Sequence, residues 1–427
     1  MFKIRKWVAL GLLAIMGNAT AAAVNNPGKN QTGGLYRDIV GIPIIFSSED
    51  WGLALGGAGV VKGLIQPQMT LFGMVIGSSN KSRLGFLGLY NISPPGFDQW
   101  LIDVSAYDAT QTNNRFFLPG NPEFAMEQAA SNDSSLNNFI RDGVRDRRYQ
   151  ADLKYTVPIG AGKDGALAAM LRKHRGDNST GNWNPLTSGV TTLELRPFFF
   201  SQSLDHLQPA SESEDSAGVR VKLEYDNRNS VTLPTRGSNT SFTYTWDWGS
   251  RSRPSWSTVE FEYSKFFDLG SNRLMKQQVL ALNGWVADTP TWNETEVVNG
   301  QSVFRRPPSF AGISLGGWNK LRGFSSDRFF GRSAVSYSVE YRVMPQWQPL
   351  GSLPIVSSFY DIPWWQWTLF VDVGRVADQF NVKTLHQDMK ASVGGGIRFE
   401  IEGLTVRTEI AVGSEERFFR IFTSQPF

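Results

Sequence analysis

Residues 219–226 read Val219-Arg220-Val221-Lys222-Leu223-Glu224-Tyr225-Asp226, apolar and charged in strict turn. A strand sends successive side chains to opposite faces, so this segment has one apolar and one charged face. The pattern recurs along the chain. Phe242, Tyr244, Trp246 and Trp248 oppose Ser241, Thr243, Thr245 and Asp247. Val335, Tyr337, Val339 and Tyr341 oppose Ser336, Ser338, Glu340 and Arg342. Val406, Thr408, Ile410 and Val412 oppose Arg407 and Glu409. A soluble sandwich gives the same alternation, with its polar face outward. Two features favour lipid instead. The apolar faces are rich in Tyr, Trp and Phe, as aromatic girdles at membrane interfaces require. The strands also run for about nine to twelve residues, enough to cross a bilayer when tilted, where soluble strands average about five or six. Lipid offers backbone groups no partner, so such strands must close into a barrel.

The reading is therefore all-β: a transmembrane antiparallel barrel of sixteen strands, at 51–62, 69–79, 83–92, 100–110, 147–157, 165–175, 191–203, 219–226, 239–248, 256–267, 276–286, 333–342, 367–376, 391–401, 404–413 and 418–427. An even number suits a bacterial outer-membrane barrel with both ends in the periplasm. Segment 109–145 is polar and reads as a loop or a short helix. Composition agrees with this picture. Of the 427 residues 41% are hydrophobic and only 19% charged, with 14 Trp and 29 Phe. That is too apolar for a disordered chain. The absence of cysteine excludes disulfides and thiolate metal sites. Three histidines argue against a multi-histidine metal centre, and we expect no cofactor.

Segment 1–23 reads as a secretory signal. Lys3, Arg5 and Lys6 precede the apolar run from Trp7 to Met16, and small residues follow at Ala19 and Ala21–Ala23. Losing those three cations from the 42 basic residues leaves 39, equal to the 39 acidic ones. The mature chain thus has no basic excess and gives no sign of a nucleic-acid partner. No later run reaches the ~18 apolar residues of a membrane helix. Segment 24–50 reads as a short periplasmic lead, and 51–427 as one barrel domain.

Gly316-Gly317-Trp318-Asn319-Lys320-Leu321-Arg322-Gly323-Phe324 lies near the end of the longest expected loop, 287–332, ahead of a strand ending Glu340-Tyr341-Arg342. Phe370-Val371-Asp372-Val373-Gly374 follows, and Tyr225-Asp226-Asn227-Arg228 with Pro234-Thr235-Arg236-Gly237 precedes it. In these motifs the chain resembles the BamA/TamA-type assembly-factor superfamily of outer-membrane barrels, the bacterial surface antigen family. That family carries an arginine–glycine–aromatic motif in the same loop, a Phe-x-Asp-x-Gly strand, and a turn ending Pro-Thr-Arg-Gly. The terminal Phe427 also suits such a barrel.

Alternation places Asp372 on the lumen face, where an ionised carboxylate is costly without a partner. An arginine on an infolded loop can supply a two-toothed, charge-assisted bond. The resemblance implies that Arg322 is that partner, that Leu321, Arg322, Gly323 and Phe324 enter the lumen, and that Glu340, Arg398 and Glu400 join the same network. It also implies a lateral gate where first and last strands meet. Gly52, Gly56, Gly57 and Gly59 crowd the expected first strand, either to allow close backbone approach or to weaken that seam. Trp347, Trp364, Trp365 and Trp367 read as an interfacial belt. His174, His206 and His386 are scattered, with no nucleophile–base arrangement, so an enzyme is not expected.

Characterised members of the family usually carry periplasmic POTRA domains that bind client chains, and 24–50 leaves no room for one. The function expected is a POTRA-less outer-membrane barrel that aids insertion or transport of protein or lipid, with outer-membrane lipids and a separate periplasmic partner or client protein around it. A passive solute channel and a structural surface-antigen barrel stay open as alternatives.

Overall fold

The computed structural model describes residues 38–48, 51–117, 130–175, 183–206, 214–350, 362–401, 404–423 and 425–427. The expected signal segment lies outside them. The wall begins with β1 (Asp38–Ser48), β2 (Gly52–Lys62), β3 (Thr70–Ser78), β4 (Arg83–Ile92), β5 (Trp100–Phe116) and β6 (Ile140–Thr156). A helix, α1 (Ala166–Arg175), precedes β7 (Val190–Leu204), β8 (Glu214–Asp226), β9 (Gly237–Asp247), β10 (Trp256–Gly270) and β11 (Met275–Asp288). The long loop then carries two small hairpins, β12 (Thr295–Val298) with β13 (Gln301–Phe304), and β14 (Ser314–Leu315) with β15 (Phe329–Phe330). The wall resumes with β16 (Ser333–Pro345) and β17 (Trp365–Ala377). A short helix, α2 (Val382–Leu385), leads to β18 (Lys390–Ile401), β19 (Leu404–Gly413) and β20 (Arg417–Thr423). Wall strands pair in chain order from β1 to β11 and then β16 to β20, as one large antiparallel sheet.

The sheet is inverted relative to a soluble one. On β17 the inward positions Gln366, Thr368, Phe370 and Asp372 are all buried, while Leu369 and Val371 are 55% and 46% exposed. On β9, Phe242, Tyr244 and Trp246 are exposed, as are Trp248 just after it, Val339 on β16 and Ile410 on β19. Meanwhile Glu340, Arg342, Arg398, Arg407 and Glu409 are buried. No helix of the described residues is long and apolar enough to cross a membrane.

Three expectations need correction. Segment 165–175 is helical: Ala, Leu, Met, Arg and Lys are strong helix formers, and this local preference wins over a weak alternation. The segment 24–50 is not only a lead, because Asp38–Ser48 pairs with β2 along its whole length. Pro43 obscured it, since proline is confined mostly to edge strands, and β1 is an edge of this sheet. Segment 109–145 is strand at both of its ends, since β5 runs to Phe116 and β6 begins at Ile140. The remaining fifteen expected strands are in the sheet.

The sheet curls strongly. Arg328, in the long loop, bonds Ser134 beside β6 and Glu415 in the β19–β20 turn. Arg115 on β5 pairs with Glu416 at 2.8 Å. Strands from opposite parts of the sheet order therefore meet at the long-loop end. No pairing among the described residues joins β1 to β20.

The outward apolar face can be tested directly. Val371→Arg should destabilise the protein in lipid vesicles by about 2–4 kcal/mol, the cost of a cation on a bilayer-facing strand. Urea unfolding in vesicles measures this, and a wild-type midpoint would rule out lipid contact there.

Candidate functional site: a buried arginine network

The loop between β11 and β16 enters the space inside the curled sheet with its own apolar core. Leu321, Phe324 and Phe329 are fully buried with Ile313 and Leu315, against Trp285, Ala334 and Val376 of the wall. These contacts bring the backbone of Arg322 to the inner face of β17. Gly323 is needed there for space, because a Cβ would run into the Gly413 backbone and the Ser392 side chain. At this closest approach only hydrogen fits.

Arg322 is 1% exposed and uses every one of its side-chain N–H groups. Nε donates to Asp372 Oδ2 at 2.9 Å and Nη2 to Asp372 Oδ1 at 2.7 Å, the two-toothed pair. The Arg322 backbone N–H donates to the same Asp372 carboxylate at 3.1 Å. Nη1 reaches Glu340 at 2.6 Å and Glu409 at 3.5 Å, and Nη2 also reaches the Ser338 hydroxyl at 3.1 Å. The guanidinium carbon lies 3.5 Å from the Phe370 ring centroid. Burial alone would lower the Arg322 pKa, but the carboxylates of Asp372, Glu340 and Glu409 hold it well above its ordinary value.

The wall carries the network onward. Arg398 donates to Glu340 at 2.8 Å and to Glu409 at 2.9 Å, and Arg342 donates to Glu340 at 2.8 Å. Arg407 donates to Asn319 of the loop at 3.0 Å. Arg420, on β20, donates to the carbonyls of Gly317, Arg322 and Phe324. The loop is thus held by β16, β17, β19 and β20 together. Five buried arginines face three buried carboxylates here, so this cluster is cationic on balance.

Of the residues expected to lock the loop, Arg322, Asp372, Glu340 and Arg398 come together. Glu400 accepts instead from the Trp364 indole at 2.8 Å. Glu409, Arg342, Arg407 and Arg420 were not singled out. Alternation had marked the inward face of three of them, but not their cross-strand neighbours. Trp364 is buried, whereas Trp347 is exposed and packs edge-on with Trp365.

The turn motif forms a clamp. Asp226 takes a two-toothed bond from Arg228, both contacts 3.0 Å. Asn227 caps Ser238. Gly237 has a φ of +96°, which only glycine adopts without strain. Helix α1 reaches this end of the sheet, with Lys173 Nζ 3.1 Å from Asp226.

The expected gate glycines lie on β2, which is flanked by β1 and β3 and so is not an edge. Gly52 takes a positive φ in the turn after β1, Gly56 packs against the β3 backbone, and Gly57 and Gly59 face outward. Phe427 is not in the last strand, which ends at Thr423. It packs on Phe266, with ring centroids 6.2 Å apart, and next to Arg342. The histidines lie apart: His206 meets Asp142, His386 meets Tyr337, and His174 meets the Met170 carbonyl. No group of side chains able to hold a metal occurs among the described residues.

Removing Arg322 would strand the buried Asp372 and Glu340 carboxylates. Arg322→Ala should therefore cost about 3–5 kcal/mol and expose Phe324 and Phe329 to chymotrypsin. Digestion of the loop at the wild-type rate would show that Arg322 does not hold it.

Comparison with known proteins follows the same residues. A family model described as the Omp85 superfamily domain matches residues 99–414. No curated protein sequence matches the chain. Among solved structures, CdiB from Escherichia coli aligns with 90% of this chain and 60% of its own, at 12% identity and a TM-score of 0.52. BamA from Haemophilus ducreyi lacking POTRA domains 1-3 aligns with 90% of this chain and 68% of its own, at 13% identity and a TM-score of 0.48. CdiB from Acinetobacter baumannii aligns with 89% of this chain and 58% of its own, at 11% identity and a TM-score of 0.48. The chain spans about three fifths of the length of these CdiB chains. At such identities the likeness concerns the fold. The family match spans most of the chain and takes in the Arg322 loop with β16, β17 and β19, so the chain belongs to the Omp85 superfamily.

Proposed function

We propose that the sheet closes β1 onto β20 as a sixteen-stranded barrel in the bacterial outer membrane. Its lumen is plugged by the Arg322 loop, and it aids insertion or translocation of protein or lipid. The observation that carries this reading is the loop motif itself, bonded at Arg322 to Asp372, Glu340 and Glu409 inside a sheet whose outer face is apolar. The meeting of β5–β6 with the β19–β20 turn supports closure. We assign no catalytic step. The partners are outer-membrane lipids and a client or periplasmic protein.

A second reading, the passive channel, is favoured by the cationic excess of this cluster. Arg342 Nη1, Gln366 Nε2 and Thr368 Oγ1 are buried donors without an acceptor, and Arg342 is cross-strand from Thr368. Small anions suit such a lining. Planar-bilayer recording separates the two. The wild-type barrel should conduct weakly or flicker, and Arg322→Ala should open a larger, anion-preferring pore. A large, steady wild-type pore would reject the plugged lumen and favour the channel.

Closure places the gate between β1 and β20 rather than at β2. A cysteine on each of these strands, oxidised to a disulfide, should abolish transport or assembly, with activity restored by reduction. Full activity with the crosslink in place would eliminate the gate.

A further inference from the structure

A cavity of about 620 Å³ lies away from the arginine network, on the outer face of β2 to β6. Its floor is Gly57, Gly59, Gly73 and Gly85. Register makes the depression continuous: Gly59 is opposite Gly73, and Val75 lies between Gly57 and Gly85. Outward positions of a lipid-facing strand normally carry large side chains, so four glycines together leave a hollow one side chain deep. Val75 and Leu87, 67% and 56% exposed, and Tyr149 form its walls.

One end of this hollow is charged. Asp108 lines it and pairs with Arg145 at 2.8 Å, with both side chains substantially exposed. Thr110 sits between Arg83 and Arg145 in register. Lys81 is exposed in the adjoining turn. Three cations thus accompany one carboxylate, and an exposed ion pair of this kind is weak enough to exchange partners. At the other end of the same strands the outward residues are Val61, Leu71 and Leu89. The charged end is the end at which the Arg322 loop leaves the sheet.

We propose that this groove binds a phosphorylated, acylated glycolipid of the outer leaflet. One acyl chain lies over the glycines, and a phosphate meets Arg83, Arg145 and Lys81. The assignment rests on the outer-membrane reading, which puts the long-loop end outside. That leaflet presents phosphorylated glycolipid, whereas a phospholipid of the inner leaflet would meet the apolar end of the groove.

Native mass spectrometry of the full chain in detergent tests it, with a bisphosphorylated lipid A and phosphatidylglycerol as probes. The wild type should retain one lipid A about tenfold more tightly than phosphatidylglycerol. Gly73→Leu and Gly85→Leu fill the hollow, and each position has room for a Cβ, with nearest atoms at 3.7 and 4.0 Å. Either change, or Arg83→Ser with Arg145→Ser, should lower retention about tenfold while β-sheet circular dichroism is unchanged. Equal retention by wild type and variants, or equal retention of both lipids, would overturn the proposal. Insertion into vesicles is measured in parallel. Failure of the wild type to insert would overturn the barrel reading and the groove with it, whereas insertion without lipid A retention would overturn the groove alone.

Discussion

Arg322 is a full positive charge brought into an interior that water does not freely reach. Taking such an ion out of water costs several kcal/mol even after relaxation. The loop can hold it there only where acceptors already converge. Asp372, Glu340 and Ser338 provide them from β16 and β17, with Glu409 of β19 completing the set. The position of the loop follows from this match. Gly323 must lie against Gly413, Phe324 must enter the apolar cluster, and Arg420 then finds three loop carbonyls in reach. A shift of the loop by one residue would lose the two-toothed pair and bury unpaired carboxylates.

That arrangement presupposes the inverted sheet. Strands β16 to β19 must send their charged residues inward where the loop docks, because their other face there carries Trp, Tyr, Val and Ile. The interior is not uniform, however. Along the middle of β2 to β5 many inward residues are apolar as well: Phe72, Met74, Phe86 and Tyr107, with Trp51 just before β2, form a cluster. Buried charge lies on β5 to β9, as in the Lys154–Asp103 and Arg196–Asp152 pairs, and again on β16 to β20, where the loop docks. The interior thus has one oily patch between ionic stretches, and the loop's mixed surface is fitted to the ionic stretch of β16 to β20.

Much of this was legible in the residues. Glu340 and Asp372 stand on faces set by strict alternation, and the resemblance of the motif around Arg322 to that of a known family marks the loop. Where both faces of a strand are apolar, as on β2 to β5, alternation carries less information about which face is inward. The helix at Ala166–Arg175 has a visible signal in its run of helix formers, stronger than the weak alternation of the same residues. The strand at Asp38–Ser48 was hidden by Pro43, acceptable there only because β1 has a single described neighbour.

Resemblance to a known family pointed to Arg322 as the partner of Asp372, while the sequence by itself determined the all-β class and the apolar outer face. These are local or periodic properties, readable residue by residue. Only the tertiary structure decided that Glu409, Arg407 and Arg420 join the loop and its arginine, that Glu400 turns to Trp364, and that Phe427 leaves the last strand to pack on Phe266. Such contacts depend on the register between strands and on the curl that brings distant strands together. The physical reason is that alternation specifies a face, whereas pairing in space requires a second coordinate across the sheet.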